Sequence, residues 1–322
     1  MAVYTKLNQS KIEKILSNYN LGKLVSFKEI EDGIENTNYF LSVNNKKFIL
    51  TIYEKRVKPE DLPFFSNLMS SLKKANFKCP SPVLNNSNST ITDFDKKKLM
   101  IVSFLEGKAK QNLSPSNCRA IGEEVAKMHE LTKNFKLKRQ NDLSVHSWRG
   151  LFESVKDRCS KLHKDLPKLI GENLDSVEKN WPTDLPKGII HADLFHDNIF
   201  FNKEKLSGII DFYFSCEDFF AFEIAICFNA LCFDGVKENL SFNVTKAKNF
   251  IQGYSSIRKL SDLERQNIKV LSQGAALRFL LTRVFDALNT VKGAIVKVKD
   301  PIEYLKRLEF HKNAKNYEDY FF

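Results

Sequence analysis

Residues 188–214 read "GIIHADLFHDNIFFNKEKLSGIIDFYF". His191, Asp193, Asn198 and Asp211 stand beside or within runs of Ile and Phe. Polar groups amid apolar runs are costly to bury without partners, so this segment is where a bound ligand is expected. The pattern H-x-D-x-x-x-x-N, then an apolar strand pair, then I-I-D-F, has a physical logic for phosphoryl transfer. One carboxylate must meet the attacking hydroxyl, while an amide oxygen and a second carboxylate hold magnesium against the nucleotide phosphates. Asp193 fits the first role. Asn198 and Asp211 fit the second, since a tight hairpin after the catalytic loop is expected to return Asp211 to face Asn198 across the metal. At ordinary residue frequencies the first part of this pattern arises by chance in a chain this long about once or twice in a hundred.

Outward from this segment, the two halves of the chain differ. Apolar runs near 24–30, 39–43 and 48–53, broken by "EDGIENT" and "NNK", predict three antiparallel strands. A helical period follows through Leu62, Phe65, Leu68, Met69 and Leu72, and "NSNSTITDFDKKKLMIVSFLEG" predicts two more strands around a polar hairpin. From Glu106 onward the character is helical. Ser114 is placed to cap a helix with Pro115 at its first position, and Ser261 with Glu264 form a capping box ahead of a helix of some eight turns. Short apolar runs at 188–190, 199–201 and 208–210 predict strands embedded in that helical half. The fold class is therefore α+β, with a mostly antiparallel β lobe over residues 1–105 and a mainly helical lobe over 106–322.

The 322 residues are 43% hydrophobic and suit a soluble globular protein. The start "MAVYTKLNQSK" lacks the pattern of a secretory signal, and the longest apolar run, 219–233, is interrupted by Glu223 and Asn229, so a cytoplasmic location without membrane partner is expected. Cysteines 79, 118, 159, 216, 227 and 232 make no CxxC pair and read as buried thiols. The net charge of +11 comes from lysines spread along the chain instead of a dense stripe, which argues against nucleic acid and for solvated surface with some attraction for an anionic nucleotide.

"HADLFHDN" followed by "IIDF", behind a mostly β lobe, resembles the aminoglycoside phosphotransferase and choline kinase superfamily, with its protein-kinase-like bilobal fold. The segments "NYFLSVNNKKFILTIYEKRVKPEDLPFF", "CPSPV", "WPTDLPKGIIHADLFHDNIFF", "GIIDFYFSCED" and "AICFNALCF", in that order, resemble the bacterial homoserine kinases of that superfamily across nearly the full chain. The resemblance implies ATP- and Mg2+-dependent phosphorylation of the side-chain hydroxyl of L-homoserine in threonine biosynthesis. It makes Asp193 the catalytic base, Asn198 and Asp211 the magnesium ligands, and His191 a shaper of the catalytic loop. It sets the tip "GIENTN" over the phosphates, with Asn36, Thr37 and Asn38 offering amide and hydroxyl donors.

Three positions depart from the superfamily pattern. His196 stands where many members have proline, Glu223 where relatives usually have Asp, and Thr51 where they commonly place a phosphate-contacting cation. Lys47 and Lys55 share the strand face of Thr51, but each lies four residues away, about 13 Å along the strand. Magnesium and the tip are thus expected to carry most of the phosphate charge. Homoserine is zwitterionic, so its pocket needs a cation and an anion; Arg278, Arg283 and Asp286 are candidates, with Arg283 and Asp286 spaced to pair with each other. A kinase of choline, ethanolamine or an aminoglycoside, an inactive nucleotide-binding module and an RNA-binding protein are the alternatives.

Overall fold

The computed structural model of the chain describes residues 5–30, 36–54, 57–236, 239–289 and 299–321. These fall into two compact units. The first holds the chain up to Glu106 together with Ser207–Tyr213; the second holds Gly107–Leu206 and the described residues from Phe214 onward.

The first unit begins with a short helix, α1 (Gln9–Leu16), and three strands, β1 (Leu24–Ile30), β2 (Thr37–Val43) and β3 (Lys46–Tyr53). Helix α2 (Leu62–Lys74) precedes β4 (Thr92–Phe94) and β5 (Lys97–Ser103). The strands form one antiparallel sheet in the order β1-β2-β3-β5-β4. Both tight hairpins use residues with positive φ, Asn44 in one and Asp95 and Lys96 in the other, which matches the twist of the flanking strands. Tyr39, Leu41 and Val43 alternate inward from β2 and pack with Leu50 and Ile52 of β3 and Leu99 and Ile101 of β5. Helix α1, which the hydrophobic pattern did not announce, closes this core with Ile12, Ile15 and Leu16.

Segment 207–213 is stitched into the same unit. The Ile209 amide donates to the Lys78 carbonyl at 2.9 Å, and the Tyr213 ring meets Tyr53 edge-on with centroids 5.1 Å apart. Gly208, at φ 150°, lies so close to this carbonyl that a Cβ there would come within 2.1 Å of the Lys78 oxygen.

The second unit starts with β6 (Lys108–Ala109) and continues through α3 (Pro115–Leu131), α4 (Val145–Glu153), α5 (Lys156–Cys159) and α6 (Leu166–Asn180). Then come β7 (Lys187–Ile190), β8 (Ile199–Asn202), β9 (Lys205–Ile209), whose last three residues count with the first unit, β10 (Cys216–Phe219) and α7 (Phe220–Leu231). The remainder comprises β11 (Phe233–Asp234), β12 (Ser241–Phe242), α8 (Val244–Ser255), α9 (Asp262–Asn289), α10 (Ile302–Asn313) and α11 (Glu318–Phe321). Both sequence-derived helix starts are realised: Ser114 accepts from the Asn117 amide at 3.1 Å, and Ser261 and Glu264 close a reciprocal box. Helix α7, apolar but for Glu223 and Asn229, is buried at every position, as a helix at the centre of a helical core is. It packs against α9, and α10 returns along α9. All six cysteines are buried. Among the described residues no helix is long and apolar enough to cross a membrane.

Candidate active site

Strand β7 delivers the chain to His191, and β10 pairs with it so that Cys216 lies opposite Ile190. The loop that follows opens with an unusual residue: Ala192 has φ 65°, in the left-handed region. Its surroundings hold it there. Glu223, on α7, accepts hydrogen bonds from the amides of His191 and Ala192, the latter at 3.1 Å to Oε1. Arg278, on α9, donates from Nη1 to the Ala192 carbonyl at 2.6 Å. Burial pushes the Glu223 carboxyl up to about 7, against the opposing pull of those two amides and of the Arg278 charge.

Asp193 follows at a half-buried position. Its amide donates to His191 Nδ1 at 3.3 Å, so the imidazole acts within the loop backbone. Asn198 donates from Nδ2 to the Asp193 carbonyl at 2.8 Å and to Asp193 Oδ2 at 3.3 Å. A short helical turn at 196–198 brings the two side chains together: the Phe195 amide donates to the Asp193 carbonyl and the Asn198 amide to the Phe195 carbonyl, both at 3.0 Å. The Phe195 ring packs edge-on against Phe279 of α9, 4.8 Å between centroids. His196 is half-buried; burial, and then the charge of Lys246, hold its imidazole below the usual range.

Asp211 belongs to the first unit, whereas Asp193 and Asn198 belong to the second. It too lies in the left-handed region, at φ 64°. Burial raises the Tyr213 hydroxyl to about 12, and the nearby charge of Asp211 adds to that shift. The Tyr53 hydroxyl is raised in the same direction, by burial first and then by Tyr213 and Asp211. Segment 207–213 therefore sets this carboxylate near Tyr53, at the C-terminal end of β3.

The three tip residues differ in what they present. Residues 31–35, including Gly33, Ile34 and Glu35 of the tip, lie outside the described residues. Asn36 uses its Oδ1 to accept the Glu54 amide at 3.4 Å. Asn38 accepts the Thr51 hydroxyl on Oδ1 at 2.8 Å across the β2–β3 pair. Thr37 requires a correction: its hydroxyl, read as a phosphate donor, instead donates to Glu54 Oε1 at 2.7 Å. The reason is strand alternation. Thr37 shares the inward face of β2 with Tyr39, Leu41 and Val43, while Asn38 takes the other face. Glu54 collects this hydroxyl, that of Thr5 and the ammonium of Lys97; burial alone would raise its carboxyl, but those partners hold it below the usual range.

Of the candidate cations, Lys47 pairs with Glu106 at 2.7 Å, and Lys55 lies outside the described residues. Arg278, considered for the substrate carboxylate, is 2% exposed and bound to the Ala192 carbonyl. Arg283, spaced to pair with Asp286, reaches α10 instead, donating to Glu303 and to the Asp300 carbonyl, both at 2.9 Å. Helix spacing made the first pair available, but the return of α10 along α9 supplied a competing carboxylate, which also takes Arg307. Sequence carried no signal for the Arg278 contact, because the partner is a backbone carbonyl 86 residues away.

Residues 26–259 match the model of the phosphotransferase enzyme family. The chain is 46% identical over 320 residues to a homoserine kinase of Afipia carboxidovorans, covering 99% of this chain and 97% of that one. A homoserine kinase of Bradyrhizobium diazoefficiens is 44% identical, again over 99% and 97% of the two chains. Among solved structures, an amicoumacin kinase in complex with AMP-PNP and Ca2+ superposes with a TM-score of 0.71 at 12% identity, over 97% of this chain and 95% of that one. A choline kinase from Cryptosporidium parvum does so with a TM-score of 0.68 at 17% identity, over 95% and 94%. The bilobal kinase-like architecture and the relatives along the whole length agree: the chain belongs to the phosphotransferase enzyme family and, within it, to the homoserine kinases.

Proposed function

We propose that the chain transfers the γ-phosphoryl group of ATP to the side-chain hydroxyl of L-homoserine, giving O-phospho-L-homoserine and ADP, a step of threonine biosynthesis. The observation that carries this reading is identity of 42–46% to homoserine kinases along nearly the full length. The kinases of choline and amicoumacin share the fold at far lower identity and lend no substrate. A cytoplasmic location suits a reaction between two small soluble reactants.

In this reading Asp193 accepts the proton of the homoserine hydroxyl as its oxygen attacks phosphorus, and ADP leaves on the opposite side. Asn198 donates to Asp193 Oδ2 at 3.3 Å, which orients the carboxylate. Asn198 and Asp211 would hold Mg2+. The donor set fits: Asn198 is turned with Nδ2 toward Asp193, so its amide oxygen and the Asp211 carboxylate are the hard oxygen donors that this cation takes. Among the described residues there is no group of three or more His, Cys, Asp or Glu able to hold a metal, and Mg2+ bound largely by phosphates and water needs none. When bound, it neutralises charge on the phosphates. Asn38, with Oδ1 tied to Thr51, offers Nδ2 to them, and the Asn36 region supplies further polar groups.

The test is ADP release by the purified protein with Mg·ATP and, in turn, homoserine, serine, threonine, choline, ethanolamine and kanamycin. Homoserine should exceed every other acceptor in kcat/KM. Turnover with choline and none with homoserine would overturn the substrate while leaving the fold intact.

A further inference from the structure

We propose that Arg278 is a positioning residue for phosphoryl transfer: from α9 it grips the carbonyl of Ala192 while Glu223 grips the same residue's amide, and the two fix the strained backbone that aims Asp193. The proposal rests on Asp193 as the base. Ala192 carries a Cβ and sits at φ 65°, where L-residues other than glycine meet steric strain. Such a conformation persists only when its surroundings over-determine it. Here both polar groups of one peptide residue are taken by buried ions of opposite charge, from two different helices. Ala192 is 1% exposed, Glu223 0% and Arg278 2%, so water competes for none of these bonds.

The arrangement also leaves a defect that packing alone does not explain. Arg278 Nε is buried with no hydrogen-bond partner. A buried guanidinium with an unmet donor is unfavourable beside an apolar side chain of similar volume, and the guanidinium plane already lies over Phe279, 4.6 Å from the ring centroid. What a methionine could not reproduce is the bond to the Ala192 carbonyl. That bond is one residue from the carboxylate that must meet the substrate hydroxyl.

The experiment uses the full-length enzyme with saturating Mg·ATP and homoserine, on Arg278→Met, Arg278→Lys, Ala192→Gly and the double variant A192G/R278M. We expect Arg278→Met to lower kcat about a hundredfold with the KM for ATP within about twofold, and Arg278→Lys to fall between it and the wild type. Glycine adopts positive φ without strain, so A192G/R278M should regain about tenfold of the loss. If Arg278→Met does not fold, Arg278→Lys with and without Ala192→Gly carries the same comparison. Wild-type kcat in a folded Arg278→Met enzyme would overturn the proposal. So would recovery through Glu223→Gln with none through Ala192→Gly, since Arg278 would then only neutralise Glu223. Asp193→Asn separates the two levels: full activity there removes the base assignment itself, whereas an inactive Asp193→Asn beside unimpaired Arg278 variants removes only the positioning role.

Discussion

At Asp193, one carboxylate oxygen is held by Asn198 at 3.3 Å and the loop beneath it is braced by Glu223. With Asp193 in the proposed role of general base, its replacement removes a share of proton transfer without touching nucleotide contacts, so Asp193→Asn should lower kcat by about two to four orders of magnitude. Calorimetric titration with Mg·ATP should give an affinity close to wild type; a lost affinity would mean that Asp193 serves the nucleotide. Glu223 makes a second, pH-dependent demand. Only its charged form can accept both amides with both oxygens, and its folded pKa is about 7. Protonation below that value weakens the brace, so kcat should rise with pH through this range. The Glu223→Gln enzyme should be slower and lack that limb, which a kcat profile from about pH 5.5 to 8.5 would reveal. Asp193, Asn198 and Asp211 stand out in the sequence because their types and spacing suit phosphoryl transfer, and the fold brings the first two side by side. Thr37 misled because residue type was weighed without strand face, and Arg278 stood only as one candidate for the substrate because a side chain's bond to a distant carbonyl leaves no trace in residue spacing.

At the scale of elements, helix starts were legible wherever the chemistry is local. Ser114 with Pro115, and Ser261 with Glu264, act within four residues of chain and appear in the fold as read. Helix α1 is only eight residues long and draws its stability from the sheet it covers, so its own sequence is a weak guide. The crossing of α3 and α8 was equally hidden. It depends on Gly122 and Gly253: a Cβ on the first would come within 2.1 Å of the Phe250 carbonyl oxygen, and one on the second within 2.0 Å of the Arg119 carbonyl oxygen. Both obstacles are backbone, which cannot rotate aside. Alanine would gain about 1 kcal/mol in helix propensity, yet overpacking of this kind costs about 1–3 kcal/mol. Gly253→Ala should therefore destabilise the protein by up to about 2 kcal/mol net in urea unfolding. A stabilised variant would show that the helices part without loss.

For the whole molecule, the two-part organisation was legible from the change of period near Glu106, but the return of 207–213 to the first unit was not, because it rests on Gly208 and Tyr213 packing against residues far away in sequence. The response to acid pits buried groups from one end of the chain to the other. Glu223, raised from an ordinary 4.5 to about 7, favours the folded state as pH falls between those values. His311 opposes it: burial, then the charge of Arg307, lowers its imidazole from 6.5 to about 3, so stability is lost as pH falls from 6.5 toward 3. His129 is shifted in the same direction by burial and by Arg258. At about 1.4 kcal/mol for each pH unit of separation, Glu223 returns up to about 3 kcal/mol by pH 4.5, by which point His311 has removed a similar amount. His129 tips the balance toward loss, and below pH 4.5 the carboxylates held low by their partners, Glu54 and Glu303 among them, add to that loss.

The His311 contacts define how this can be tested. Asn229 directs Nδ2 to the carbonyls of Ala225 and Ser272, so its Oδ1 faces His311 Nε2, 3.1 Å away. Nε2 therefore carries the proton, and Nδ1 accepts from the Tyr320 hydroxyl at 3.0 Å. An imidazolium would have no acceptor left for that hydroxyl. Urea unfolding between about pH 8 and 4 should show greatest stability near neutrality and a steepening fall on the acid side. His311→Gln cannot be protonated. It should be less stable than wild type near pH 7, through the lost ring packing and the Tyr320 bond, but its stability should fall less steeply on acidification. Parallel acid slopes for the two proteins would show that His311 is not among the groups that drive acid unfolding.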